Sequence, residues 1–222
     1  MAQKAILRYF IENPRKRSHI EDIIRAVSKV KLKRTTVWRE IHRLYSLGVF
    51  KSEIFGKTKI LSLNLENDQT LLLLSKHEID KKEELFKRVG PNIRTLLKKL
   101  IAESLGIREI RCVLIFGSYA KAKERLGSDI DILIIFNSLH KIHSEQLLKN
   151  YHKNIKSAVR GVINDIEYSG DIKINPIIVE DKEFSNAMRK NKVNVLTEAF
   201  KYHVLLLNPM DFWQLIGITL RE

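Results

Sequence analysis

Apolar residues recur at helical spacing from the start of the chain. Ala5, Ile6, Tyr9 and Phe10 predict a helix over about 2–12, stopped by Asn13-Pro14. Ser18 reads as an N-cap, and Glu21 three residues later completes a capping box. Ile20, Ile23, Ile24 and Val27 then form the stripe of a second helix ending near Ser28. Thr35 or Thr36 caps a third helix to about Leu47, with Val37, Ile41, Leu44 and Tyr45 facing inward, and Gly48 ends it where a left-handed residue is wanted. Two strand-like runs follow, 49–55 and Thr58–Leu63, joined across Gly56 as a hairpin. Residues 66–106 read as two charged helices broken at Gly90-Pro91, the first capped by Asp68 and the second carrying Ile93, Leu96, Leu97, Leu100 and Ile101. The near-continuous apolar runs 110–116 and Ile130–Phe136 have the character of strands buried on both faces. A helix over 144–162 comes next, then a strand over 172–179 whose Pro176 places it at a sheet edge. Helices over 183–190 and 193–200, the run Val204–Leu207 and a helix over 209–220 complete the chain.

Charge divides this pattern unevenly. The net charge is +14, and residues 1–60 hold 15 Lys and Arg against 5 Asp and Glu. A basic excess concentrated in one module is the electrostatic footprint of nucleic-acid binding. Three helices and a hairpin in about 65 residues, a basic turn before the third helix, and the ending Leu44 to Phe50 resemble a winged helix-turn-helix domain. That resemblance implies duplex DNA as partner, with the third helix in the major groove. Its N-terminal and outward residues would then be Arg34, Thr35, Thr36, Arg39 and Arg43, with His42 beside them. Lys57 and Lys59 on the hairpin would meet phosphate or minor groove, and Lys31 and Lys33 would contact the backbone. The alternative is a solvated basic face. Trp38 reads as a core anchor more readily than as an exposed contact.

The other informative segment runs from Leu114 to Ile134: an apolar strand, Gly117-Ser118, nine residues, Ser128-Asp129-Ile130-Asp131, and a second apolar strand. A strand ending in glycine lets phosphate oxygens approach backbone amides, and a helix starting there would add its dipole. Asp129 and Asp131 are two apart on a strand and share a face, as a pair that can hold a hard divalent cation does. Order, gap and flanking strands together resemble the DNA polymerase β-like nucleotidyltransferase superfamily, in its minimal form. The resemblance implies an NTP substrate, bound through Gly117, Ser118 and Ser128. It also implies Mg²⁺ or Mn²⁺ on Asp129 and Asp131, which are then the catalytic acids.

Two positions depart from the family pattern. Ala122 stands where glycine is frequent. A third carboxylate is expected on a later strand, and Asn175 falls at that place as a further metal ligand. Asparagine coordinates through its carbonyl but carries no charge and is no base. Asp165, Glu167, Asp171, Glu180 and Asp181 lie nearby as alternatives.

The fold expected is thus α+β: a winged helix-turn-helix over 1–65, a helical connector over 66–106 and a nucleotidyltransferase fold, a mixed sheet packed with helices, over 107–222. The function expected is a DNA-binding nucleotidyltransferase acting on an unidentified acceptor. The competing reading is a regulator or antitoxin-like protein whose degenerate domain binds nucleotide or a protein partner, and a third has the basic domain on RNA. The leucine run at 71–74 reads as core or as a homodimer seam. No apolar run approaches the roughly 20 residues of a membrane span, and the first residues lead into an amphipathic pattern, so a cytoplasmic protein without a membrane partner is expected. The single cysteine, Cys112, reads as a buried structural thiol, and His140 and His143 read as surface residues.

Overall fold

The computed structural model describes residues 1–28, 32–56, 58–138, 144–170, 172–190 and 192–221. The chain divides into two compact units, Met1–His77 with Ile216–Glu222, and Glu78–Leu215. The elements in chain order are α1 (Ala2–Ile11), β1 (Ser18–His19), α2 (Ile20–Ser28), α3 (Arg34–Ser46), β2 (Phe50–Phe55), β3 (Thr58–Leu63), α4 (Asp68–Arg88) and α5 (Pro91–Leu105). They continue as β4 (Ile110–Ile115), α6 (Gly117–Ala120), β5 (Ile130–Phe136), α7 (Glu145–Gly170), β6 (Ile174–Glu180), α8 (Asp181–Lys190), α9 (Val195–Lys201), β7 (Val204–Leu207) and α10 (Pro209–Arg221). The chain passes from one unit to the other within α4 and again within α10.

The first unit joins α1, α2 and α3 to an antiparallel sheet of order β1-β3-β2. Ile6, Phe10, Ile23, Val37, Ile41, Leu44 and Leu61 are fully buried, so each helix turns one stripe inward. The Phe10 and Phe50 rings meet at 5.1 Å. Three local expectations are corrected. Ser18 is not an N-cap: it pairs with Leu61 as a strand residue, and its hydroxyl meets the Tyr9 hydroxyl at 2.9 Å. The backbone preceding α2 is thus committed to a ladder, which a capping-box pattern alone does not reveal. α3 begins one residue before Thr35, with Lys33 at its N-cap and no side-chain cap. At the start of α4 it is Asn67, not Asp68, whose side-chain Oδ1 accepts from the Thr70 amide, at 3.1 Å. Leu71 and Leu74 are buried and Leu72 half-exposed, as a core stripe requires.

The second unit is built on a mixed sheet of order β6-β5-β4-β7. β4 runs antiparallel to β5 and to β7, and β5 runs parallel to β6, which puts the proline-bearing strand at an edge. One face of the sheet, with Val113, Ile115, Ile132 and Ile134, joins a core with Leu96, Leu97 and Leu100 of α5 and Ile155, Val159 and Ile163 of α7. The alternate residues Cys112, Leu114, Leu133 and Ile135 are equally buried, and burial pushes the Cys112 thiol well up. Both faces being covered explains the unbroken apolar runs. An aromatic cluster of Phe184, Phe200, Phe212 and Trp213 packs the same unit.

A charged group is locked inside this unit. Glu78 is fully buried, with Lys81 Nζ at 2.8 Å and His203 Nε2 at 3.4 Å from its Oε2. Burial alone would push this carboxyl up, but the His203 imidazole and the Lys81 ammonium hold it down to about 2. Among the described residues no helix is long and apolar enough to cross a membrane.

Candidate functional site

β4 and β5 meet at the segment singled out from the sequence. The ladder continues one step beyond β4, where the Phe116 amide donates to the Asp131 carbonyl at 3.0 Å. Gly117 then turns the chain at φ +68°. A Cβ at Gly117 would lie 2.1 Å from Asp131 Oδ2. Glycine is therefore required twice, for a left-handed backbone and for the space the Asp131 carboxylate occupies. Glycine is expected to make room for phosphate, and it makes room for the acid as well.

Asp131 and Asn175 are register partners on the parallel pair β5–β6. Asn175 Nδ2 donates to Asp129 Oδ2 at 3.2 Å and to Asp131 Oδ1 at 3.3 Å. The two carboxylates and the amide thus converge on one point. Lys173, two residues before Asn175 on the same strand face, sets its Nζ 3.5 Å from Asp129 Oδ2. The chemistry of this set suits a hard cation: two carboxylates, and an amide whose carbonyl faces them once the group rotates by half a turn. As oriented, the Asn175 amide donates a hydrogen bond to each carboxylate and the lysine supplies a positive charge beside Asp129.

The alternative acids lie elsewhere. Glu167 accepts from the Ile174 amide at 2.6 Å. Glu180 lies at the far end of β6, opposite Phe136, with His152 Nε2 at 3.2 Å. Asp181 is buried, accepting from the Ser138 amide at 3.1 Å and pairing with Arg111 at 3.0 Å. Asp165 is exposed on α7, and Asp171 lies outside the described residues. Among the described residues no group of three or more His, Cys, Asp or Glu is placed to hold a metal ion.

The loop between Ser118 and Ser128 differs from expectation in two ways. α6 is a single turn of four residues, so the anticipated helix dipole reduces to a few backbone amides. Ala122 adopts φ +53°, which explains why glycine suits this position. Ser128 closes the loop: its hydroxyl accepts from the Arg125 amide at 2.8 Å. Arg88 of α4 ties the loop down through Glu124 Oε1 at 2.8 Å and the Tyr119 carbonyl. Beside Asp129 lies a cleft of about 960 Å³, lined also by Arg88, Tyr119, Arg125, Glu167 and Lys173. Lys173 was signalled by strand alternation with Asn175. Arg88, distant in sequence, carried no local signal.

The candidate DNA-facing residues lie in the first unit. Arg34 is clasped by both Glu21 oxygens at 2.7 Å. Arg43 is held by Glu40 at 2.6 and 3.0 Å. Thr35, Thr36 and Arg39 are exposed, and no ion pair engages Arg39 among the described residues. Lys33 is exposed at the N-cap. Lys59 sits over the Tyr45 ring, 3.6 Å from its centroid. Lys31, Lys57, His140 and His143 lie outside the described residues. Trp38 is not a core anchor. It is 47% exposed and meets the His42 ring at 3.9 Å, tilted by 39°, because Val37, Ile41 and Leu44 already fill the inward stripe. Tyr45 is likewise on the outside.

Neither the curated proteins nor the solved structures gave a match to this chain. Residues 97–199, which hold the Gly117-Ser118 turn, both aspartates and Asn175, match the family model for polymerase beta, nucleotidyltransferase.

Proposed function

We propose that the protein transfers a nucleoside monophosphate from an NTP to an acceptor hydroxyl, releasing pyrophosphate, and that its first unit is a winged helix-turn-helix that brings the reaction to DNA. The observation that carries the transferase reading is the convergence of Asp129, Asp131 and Asn175 beside a left-handed glycine that only glycine can be. Asp129 and Asp131 would hold Mg²⁺ or Mn²⁺, with the Asn175 carbonyl as a third oxygen. That ion would neutralise triphosphate charge and polarise the reacting phosphoryl group. Backbone amides after Gly117 and the Ser118 hydroxyl would hold phosphate oxygens, with Ser128 keeping the loop in shape and near enough to add a contact. Lys173 would shift its charge from Asp129 to the triphosphate. Catalysis of this kind is mostly positioning and electrostatic stabilisation.

Incubation with labelled NTP, Mg²⁺ and candidate protein or nucleic-acid acceptors tests this reading. Label transfer is expected in the wild type and absent in the Asp129→Ala/Asp131→Ala variant.

A second reading is favoured by one observation: Asn175 stands opposite the aspartates where a carboxylate would serve as base. On that reading the domain binds nucleotide, a protein partner or a second copy of the chain, and the first unit acts on an operator. NTP binding without label transfer in the same assay is its expected outcome.

A further inference from the structure

The outer face of α3 carries rings where a duplex reader would carry free arginines. Trp38, His42 and Tyr45 recur at i, i+4 and i+7, so they follow one another along a single face. Trp38 is 47% and Tyr45 36% exposed, and His42 is exposed as well. The core has no need of them, since Val37, Ile41 and Leu44 are 0%, 1% and 0% exposed. The stripe is held in shape from outside the core: Trp38 on His42 at 3.9 Å, and the Tyr45 hydroxyl on Ser52 at 3.1 Å. It continues onto the sheet. Lys59 covers the Tyr45 ring, and Ile54, 81% exposed, is the register partner of Lys59 across the ladder. Paired residues leave a ladder on the same face, so Ile54 extends the apolar stripe. Cations flank it: Lys59 sits over the Tyr45 ring, and Arg39, free of ion pairs among the described residues, is the next outward position round the helix. Arg34 and Arg43, the other arginines of α3, are each clasped by a glutamate.

We propose that this face is a stacking platform for unpaired nucleobases, and that the nucleic acid bound by the first unit presents a single-stranded stretch there. Flat rings in series with flanking cations are what an unstacked strand requires: π-faces for its bases and charge for its phosphates. Duplex base edges are read mainly by free bidentate forks, and the Glu21 and Glu40 clasps engage two of the three arginines of α3. The proposal rests on the reading of the first unit as a nucleic-acid binder, and it changes the class bound from duplex to single strand.

The test uses the full chain at one fixed salt concentration. Labelled single-stranded DNA, single-stranded RNA of the same sequence and the corresponding duplex are titrated by fluorescence anisotropy, with tryptophan emission followed in parallel. The chain has two tryptophans, and Trp213 is fully buried. A Trp38→Phe variant therefore isolates Trp213 emission while preserving a stacking ring. Expected is tighter binding of one or both single strands than of duplex, with emission quenched in wild type and not in Trp38→Phe. Trp38→Ala should weaken binding roughly 10-fold or more, and Trp38→Phe only a few-fold. The DNA and RNA arms show which strand supplies the bases. Duplex bound as well as either strand, or binding indifferent to Trp38→Ala, overturns the platform and leaves the duplex reading standing. Failure to bind all three overturns both.

Discussion

The mouth of the β4–β5–β6 sheet and the outer face of α3 are built in opposite ways. At the sheet, Gly117, Asp131 and Asn175 come from three segments and are fixed by register: the Asp131 carbonyl is in the ladder, its carboxylate fills the space left by glycine, and Asn175 stands across from it. On α3, Trp38, His42 and Tyr45 come from two turns of one helix and project from it. The first region is locked into a cooperative core, and the second is an ornament on one. Substitutions at the sheet mouth should therefore disturb function and structure together, whereas those on α3 should separate them.

The largest effect tests how firmly the second unit is locked. Glu78→Gln removes the carboxylate between Lys81 and His203 and leaves the Lys81 ammonium facing a neutral amide in a largely buried place. A loss of about 3 kcal/mol is expected by chemical denaturation. The pH dependence has a definite sign. The Glu78 carboxyl is held at about 2 against its usual 4.5, so its contribution is whole above about pH 4.5 and is lost as the pH falls through about 2. The variant should lack that component. Trp38→Ala, by contrast, should leave the denaturation midpoint within about 0.5 kcal/mol of wild type. Equal losses in the two variants would erase the contrast.

Next in size is Gly117→Ala. The added methyl meets Asp131 Oδ2 at 2.1 Å and the residue must keep φ +68°. Either the carboxylate moves or the turn does, and a displacement of about 1 Å at a reacting centre is worth roughly 100-fold. Label transfer, or NTP affinity where no transfer occurs, should fall by that factor. Unchanged activity would show that Asp131 is not held by the turn.

Asn175→Asp works in the other direction. It adds the missing carboxylate at the register position opposite Asp131, where it can take a proton from the acceptor. A gain of up to about 100-fold in transfer is expected, the low end of what a positioned base supplies. Three carboxylates would then crowd one point, so the variant without divalent cation should be less stable than wild type, and added Mg²⁺ should restore it. No gain in transfer, with cation binding intact, would favour the regulator reading.

The same contrast explains what could be read from the sequence. Pro176 placed the third strand of the site at a sheet edge, because a proline cannot donate to the ladder of a central strand. The left-handed Gly117 and Ala122 lay within the same run, though nothing local showed that Asp131 would occupy the space over Gly117. The Arg88 tie to the loop joins residues 31 apart and leaves no periodic trace. Ser18 misled because a Ser-x-x-Glu spacing is satisfied as well by a strand entering a helix. Trp38 misled because size argues for burial, whereas the inward stripe of α3 was already complete without it.

A smaller effect separates the two kinds of arginine on α3. Arg39→Ala should weaken nucleic-acid binding by roughly 1 kcal/mol and lower the salt slope by about one, as loss of one phosphate contact does. Arg34→Ala should do less, because Arg34 is already engaged by Glu21 at 2.7 Å and must leave it to meet a phosphate. Anisotropy titrations across a salt series measure both. Equal slopes for the two variants would mean that the Glu21 clasp opens freely.

The smallest effect lies in the loop that joins the two strands of the sheet mouth. Ala122 holds φ +53°, a conformation that costs a non-glycine residue roughly 1–2 kcal/mol. Glycine escapes that cost but loses more freedom on folding, by about 0.5–1 kcal/mol. Ala122→Gly should therefore stabilise the protein by about 0.5 kcal/mol, readable as a small rise in the denaturation midpoint at constant slope. Because the Lys123 amide donates to the Ser118 carbonyl right beside it, the same variant relaxes the phosphate-facing turn. A fall in NTP affinity together with a rise in stability would show that the strain in this loop holds Ser118 in place. A rise in stability alone would mean that Gly117 and the ladder hold it without help.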